Sequence, residues 1–215
     1  MIRNVFFDLI YTLVHFDMES HSQRCCEILS ELGRVEPRRY AEEFRRAWVG
    51  YSERRIEGDE SFYSQILSGL GLPFRRDLVP ALREAYMDSL SLYRDSIWAL
   101  KDLLGRYKLG LITNGVSSWY ERVLEKFSLK GYFDSIIISS AVGCRKPCRR
   151  IYEAALESLN AKAEESFFIS DEYEEDLLPA MGIGMRVCLL NRGGGPAPGP
   201  VAVARDLLEA LALIG

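Results

Sequence analysis

The stretch VFFDLIYTLV, residues 5–14, sets one acid, Asp8, in apolar surroundings, with Ile10 two residues on and Thr12 beyond it. Three later apolar runs lead to polar groups of related kinds. Thr113, Asn114 and Gly115 close the run Lys108–Thr113, and Lys146 precedes Pro147 in the loop after Ser135–Ser140. Asp171, Glu172 and Asp176 follow the run Ser166–Ser170. In open α/β sheets ligands bind outside the carboxyl ends of the strands, so these groups converge if the runs are neighbouring parallel strands. An aspartate can attack phosphorus or carbon as a covalent nucleophile. Magnesium takes about six oxygens and usually only one or two carboxylates, which Asp8 and Asp171 can supply. Thr113 and the amide of Asn114 can hold a phosphoryl oxygen, while Lys146 neutralises charge on nucleophile and transferring group. A lone aspartate after a strand is more often a turn or helix cap. Four suitable strand ends in order point instead to a site.

The elements that must position these groups follow from periodicity. A further run, Arg186–Leu190, and a weaker one, Val201–Ala204, complete the set, and from Lys108 on the runs alternate with stretches of helical period: Trp119–Phe127, Arg150–Leu159, Glu174–Ala180 and Arg205–Leu213. Strands alternating with helices of this length predict βα units and an α/β fold with a Rossmann-like parallel sheet. Between about Asp17 and Leu104 no strand is expected. Tyr40, Phe44, Ala47, Trp48 and Tyr51 keep helical spacing, as do Phe62, Ile66 and Leu70, and Val79, Leu82, Tyr86 and Leu90. Breaks fall near Gly33–Pro37, Ile56–Asp59 and Gly69–Pro73. The expected division is a core of residues 1–16 and 105–215 with a helical insert, 17–104, leaving the carboxyl end of the first strand. The segment GGGPAPGP, residues 193–200, reads as a loop.

Composition narrows the partners. The 215 residues are 48% apolar and carry a net charge of −4, which favours a small soluble ligand over nucleic acid or a membrane surface. No apolar run approaches the roughly 20 residues of a spanning helix, and the chain opens on a strand-like segment, so a cytoplasmic protein, monomeric or homodimeric, is expected. The five cysteines, Cys25, Cys26, Cys144, Cys148 and Cys188, match no zinc spacing and read as reduced thiols. Cys144 and Cys148 flank Lys146, where oxidation could act on that loop.

In order and spacing, these motifs resemble the haloacid dehalogenase (HAD) superfamily, most of whose members are phosphatases. The family's first motif, D-x-D-x-T, is matched by Asp8 to Thr12 with the second acid missing; the second by LGLITNG at 109–115; the third by Lys146 in GCRKPCRRIYEAAL; the fourth by FFISDEYEED at 167–176, with Ser170 in the place of glycine. The resemblance implies a helical cap for the insert, Asp8 as nucleophile, and Mg2+ held by Asp8, Asp171 and the backbone carbonyl of Ile10. It also implies phosphoryl binding by Thr113 and Lys146, with Thr12, Asn114 and Gly115 beside the substrate and Asp176 supporting the metal. Glu172 reads either as a further acid near the metal or as a solvated loop acid.

In family phosphatases the acid at position 10 protonates the leaving group and activates water, and isoleucine does neither. Such help is worth about 10²–10⁴ in rate. The expectation is therefore a phosphatase for a small phosphorylated metabolite, slow on leaving groups that need a proton. Rivals are a 2-haloacid dehalogenase, whose halide needs none, and a degenerate phosphate-binding regulatory protein. Retention of Asp171 weighs against the dehalogenase. His15 is a weak candidate for a substitute acid, and His21 reads as structural or exposed.

Overall fold

The computed structural model describes residues 1–214. In it the chain forms two compact units, one of Met1–His15 with the chain from Leu92 onward, the other Phe16–Ser91. The first is the α/β unit. Its elements are β1 (Asn4–Phe7), α5 (Ser96–Leu103), β4 (Lys108–Thr113), α6 (Ser117–Lys126), β5 (Ser135–Ile138), α7 (Ser139–Val142), α8 (Arg149–Leu159), β6 (Ser166–Ser170), α9 (Leu178–Gly182), β7 (Arg186–Leu190), β8 (Ala202–Ala204) and α10 (Leu207–Ala212). The sheet runs β5-β4-β1-β6-β7-β8, every neighbouring pair parallel. This is the expected Rossmann-like α/β fold.

Strand β1 sits in the interior of the sheet, and all four of its residues are buried. A strand covered on both faces reads as a continuous apolar run, which is why NVFF carries no alternation. Register then fixes the strand ends. Phe7 pairs with Leu111 on one side and Ile169 on the other, so Asp8 emerges between the ends of β4 and β6. One side of the sheet is closed by Ile151, Tyr152, Ala155 and Leu159 of α8 and by Leu177 and Ala180, packed with Phe6, Ile112 and Phe168.

The second unit is helical. Helix α1 (Met18–Ile28) starts where the Asp17 carboxylate accepts the Ser20 N–H at 2.9 Å, meeting a donor left orphaned at the helix start. Helix α2 (Pro37–Ser52) opens on proline; α3 (Asp59–Leu70) ends at Gly71, whose φ of 75° is the left-handed cap that favours glycine; α4 (Val79–Asp88) follows. Phe44, Tyr51, Phe62 and Tyr86 form an aromatic core, with Tyr51 and Phe62 stacked at 4.7 Å. His21 is fully buried in it, its ring edge-on to Phe44 at 4.9 Å.

The structure corrects the sequence reading in four places. Two three-residue strands, β2 (Val14–Phe16) and β3 (Leu90–Leu92), pair with each other, so the region from Asp17 to Leu104 is not free of strands. Helix α4 stops at Asp88, and Leu90 joins β3 rather than continuing the helical stripe. Three residues are too few for a period-2 signal. Ser139 and Ser140 begin the short α7 instead of prolonging β5. The stretch Glu174–Ala180 opens as a π-helical turn, Tyr173–Leu177, before α9.

Burial lowers the pKa of His21 from 6.5 to about 4, so the folded state holds it neutral while the unfolded chain takes up a proton below pH 6.5. Its contribution is fully present above pH 6.5 and is lost as pH falls toward 4. Urea unfolding is expected to show the wild type losing roughly 3 kcal/mol more than His21→Phe between pH 7 and pH 4; parallel pH profiles for the two proteins contradict it.

Candidate active site

The loop after β1 is folded back on itself. The Leu13 and Val14 N–H groups both donate to the Leu9 carbonyl at 2.9 Å, and the Tyr11 N–H donates to the Val14 carbonyl at 2.6 Å. Reversal in so few residues requires a left-handed turn residue, and Tyr11 supplies it at φ 65°. A non-glycine residue there costs about 1–2 kcal/mol. The Tyr11 side chain is 37% exposed, whereas Thr12 is fully buried and its hydroxyl donates to Asp171 Oδ1 at 3.3 Å. The turn thus brings the first and fourth motifs together.

Lys146 holds the centre. Its side chain is buried, and Nζ donates to Asp8 Oδ1 at 2.6 Å and to Asp176 Oδ2 at 2.5 Å. Asp176 Oδ2 also accepts the Ser170 hydroxyl at 2.6 Å, and Ser170 Oγ accepts the Glu172 N–H at 3.2 Å. The π-helical turn places Asp176 here: the Tyr152 hydroxyl donates to the carbonyls of Glu175 and Asp176, tying the turn to α8. Single π turns recur at functional sites because the extra residue redirects a side chain.

The loop carrying Lys146 is fixed from β4. The Asn114 carboxamide accepts the Lys146 N–H at 2.7 Å and donates to the Lys146 carbonyl at 3.1 Å. Gly115 is engaged with α7: its N–H donates to Ser139 Oγ at 3.0 Å and its carbonyl accepts from that hydroxyl at 3.1 Å. A Cβ on Gly115 would come within 2.4 Å of the Tyr120 ring, so a larger residue would have to push that ring aside. Thr113 is buried at the last position of β4, in register with Ile138 of β5. Asn114 and Gly115, expected beside a substrate, thus spend these groups on the scaffold that holds Lys146 and α7. Ile10 is half-buried and forms a bridge to Val14. His15 Nδ1 pairs with the Tyr93 hydroxyl at 3.3 Å.

The charges do not balance. Two acids, Asp8 and Asp176, share the one ammonium, while Asp171 meets the Thr12 hydroxyl and Glu172 is exposed beside them. Burial pushes the Asp8 carboxyl from 3.8 up to about 6, with Lys146 pulling it down and Asp176 pushing it further up. Burial also pushes Asp171 up to about 8, reinforced by the charges of Asp8, Asp176 and Glu172. Lys146 is disfavoured as a cation by burial, but Asp176 and Asp8 more than offset this and raise it above the ordinary lysine value. Three carboxylates gathered around one ammonium fit a bound divalent ion. Among the described residues no three carboxylate, imidazole or thiol groups converge into a cage. Magnesium asks for less: two carboxylates and a carbonyl, with the remaining positions left to water and substrate. Asp8, Asp171 and Ile10 are residues of that kind.

Arg192, two residues past the end of β7, is a contact that the sequence reading does not single out. Its guanidinium donates to both oxygens of Asp95, at 2.9 and 3.1 Å, and to the Thr12 carbonyl at 2.9 Å. The sequence offers little signal for it, since the arginine stands among loop residues and its partners lie 97 and 180 positions away.

The haloacid dehalogenase-like hydrolase family model matches residues 29–190, a span that contains Lys146 and Asp171 and begins after Asp8. The pyrimidine 5'-nucleotidase YjjG of Escherichia coli (strain K12) is 29% identical over 194 residues, covering 87% of this chain and 85% of its own. An (S)-2-haloacid dehalogenase of Pseudomonas putida is 28% identical over 220 residues, covering 97% of this chain and 94% of its own. The magnesium-bound HAD-hydrolase YfnB from Bacillus subtilis shares the fold with a TM-score of 0.74 at 20% identity, over 99% of this chain and 98% of its own.

Replacing Lys146 by Met leaves Asp8 and Asp176 buried without their cation. Breaking a buried charge pair from one side costs about 3–5 kcal/mol, and denaturant unfolding at pH 7 is expected to show a loss of that size. Adding Asp176→Asn should return part of it. A Lys146→Met protein as stable as the wild type contradicts the arrangement.

Proposed function

The chain belongs to the haloacid dehalogenase-like hydrolases, and on that premise we propose that it is a magnesium-dependent phosphatase acting on a small phosphorylated metabolite. The observation that carries this reading is the joining of Asp171 to the nucleophile's own loop by Thr12, beside a carboxylate surplus that one lysine leaves unbalanced.

In this reading Asp8 Oδ1 is held by Lys146, which leaves the other carboxylate oxygen to attack phosphorus. The bond to the leaving oxygen breaks as the aspartyl-phosphate forms, and water then cleaves that acyl phosphate and restores Asp8. Lys146 keeps its charge throughout and offsets the negative charge of the transferring group. Asp176, itself held by the Ser170 hydroxyl, orients the ammonium. Asp8, Asp171 and the Ile10 carbonyl would hold the magnesium ion, which would supply charge neutralisation on the phosphoryl oxygens. Substrate choice falls to the helical unit, Phe16–Ser91.

Ile10 puts no acid two residues from the nucleophile. The leaving group must depart as an anion, which favours acyl phosphates and activated phenolates over alkyl phosphates by the roughly 10²–10⁴ that a general acid contributes. The relationship to a 5'-nucleotidase supports phosphoryl transfer. Ile10 also suits carbon–halogen cleavage, since halide leaves unprotonated, and the relationship to a haloacid dehalogenase supports that second reading; Asp171 beside Thr12 favours the first.

Phosphate release from acetyl phosphate and para-nitrophenyl phosphate is expected with Mg2+, to vanish with EDTA or in Asp8→Asn, and to exceed release from an alkyl phosphate by about 10²-fold or more. Halide release from a 2-haloacid without any phosphate release overturns the phosphatase reading. Turnover of neither substrate by a protein that still binds phosphate and Mg2+ identifies the regulatory alternative.

A further inference from the structure

Arg192 forms a brace behind the turn that carries Thr12. Its guanidinium engages Asp95 through two parallel hydrogen bonds, at 2.9 and 3.1 Å, and has one more N–H contact, to the Thr12 carbonyl at 2.9 Å. Its plane lies over the Tyr93 ring, Cζ 3.8 Å from the centroid, and the side chains of Arg192 and Asp95 are only 20% and 14% exposed. Asp95 Oδ2 also accepts the Leu207 N–H at 2.8 Å, so the pair is anchored to α10. A planar fork paired on one edge and stacked on an aromatic face has little rotational freedom, and lysine cannot reproduce it.

The position of this brace gives it a consequence at the site. Thr12 is held at its carbonyl by Arg192 and meets Asp171 through its hydroxyl at 3.3 Å. The adjoining Leu13 carbonyl is held as well, by the Ser96 hydroxyl at 2.7 Å. We infer that Arg192 is a positioning residue for the metal site: by fixing the Thr12 main chain it fixes the hydroxyl that orients Asp171, and so sets the affinity for the divalent cation. The inference rests on the magnesium part of the proposed function and not on the reaction catalysed. Partners of metal-binding carboxylates typically contribute 10–100-fold in affinity.

Calorimetric titration of Mg2+ into the full-length protein, without substrate, tests it through a double-mutant cycle of Arg192→Met and Thr12→Val. Each single variant is expected to weaken Mg2+ binding about 10-fold, the double variant no further than Thr12→Val alone, and Arg192→Lys to fall between wild type and Arg192→Met. Melting curves establish that each variant is folded; should Arg192→Met fail to fold, Arg192→Lys and Asp95→Asn carry the cycle. Unchanged Mg2+ affinity with a lowered melting temperature reduces Arg192 to a structural staple and overturns the inference, as does strict additivity. Coupled Mg2+ effects in a protein without phosphatase turnover leave the inference standing and remove the phosphatase reading. A wild type that binds no Mg2+ overturns the inference together with the metal site.

Discussion

Everything at the candidate site depends on one buried ammonium. Lys146 reaches Asp8 and Asp176 at once, with almost no solvent to screen the three charges. A buried lysine of this kind is tolerated only when its partners are held in place, and the surrounding structure does this from several directions. Asn114 grips the Lys146 main chain on both its N–H and its carbonyl. The π-helical turn, tied to α8 through the Tyr152 hydroxyl, presents Asp176, and Ser170 takes part of the Asp176 oxygen that Lys146 also uses. What these contacts leave to chemistry is one carboxylate, oriented and partly relieved of its charge.

The fold itself was legible because its strands are buried on both faces and so announce themselves as apolar runs. Three of the six sheet strands, β4, β6 and β7, have the expected bounds residue for residue. The ends of those runs marked where polar groups must emerge, and Asp8, Lys146 and Asp176 do meet there. Spacing alone could not say how they meet. That Lys146 spans two acids, and that Asn114 serves the backbone of Lys146, are matters of tertiary register between segments 30 or more residues apart.

The features that escaped the sequence share a physical origin. Strands β2 and β3 are each three residues long and owe their existence to one another rather than to any local preference. The π-helical turn differs from an α-helix by one hydrogen-bond register, which apolar spacing over seven residues does not resolve. Tyr11 occupies a left-handed position that composition alone assigns to glycine, asparagine or aspartate, so its backbone strain is visible only in three dimensions. Arg192 is the largest omission: a single arginine before a glycine-rich loop has the appearance of a solvated residue until Asp95, Tyr93 and Thr12 are seen around it.

We propose that Asp8 is a covalent nucleophile acting without a partner acid at position 10. The most direct measurement is mass spectrometry of the peptide containing Asp8 after acid quench of the protein turning over acetyl phosphate with Mg2+. With no acid to activate water, hydrolysis of the intermediate should lag behind its formation, and a phosphoryl group is expected on Asp8 in a substantial fraction of the molecules. Steady phosphate release with the modification on a different residue, or with Asp8 unmodified at every quench time, would contradict it.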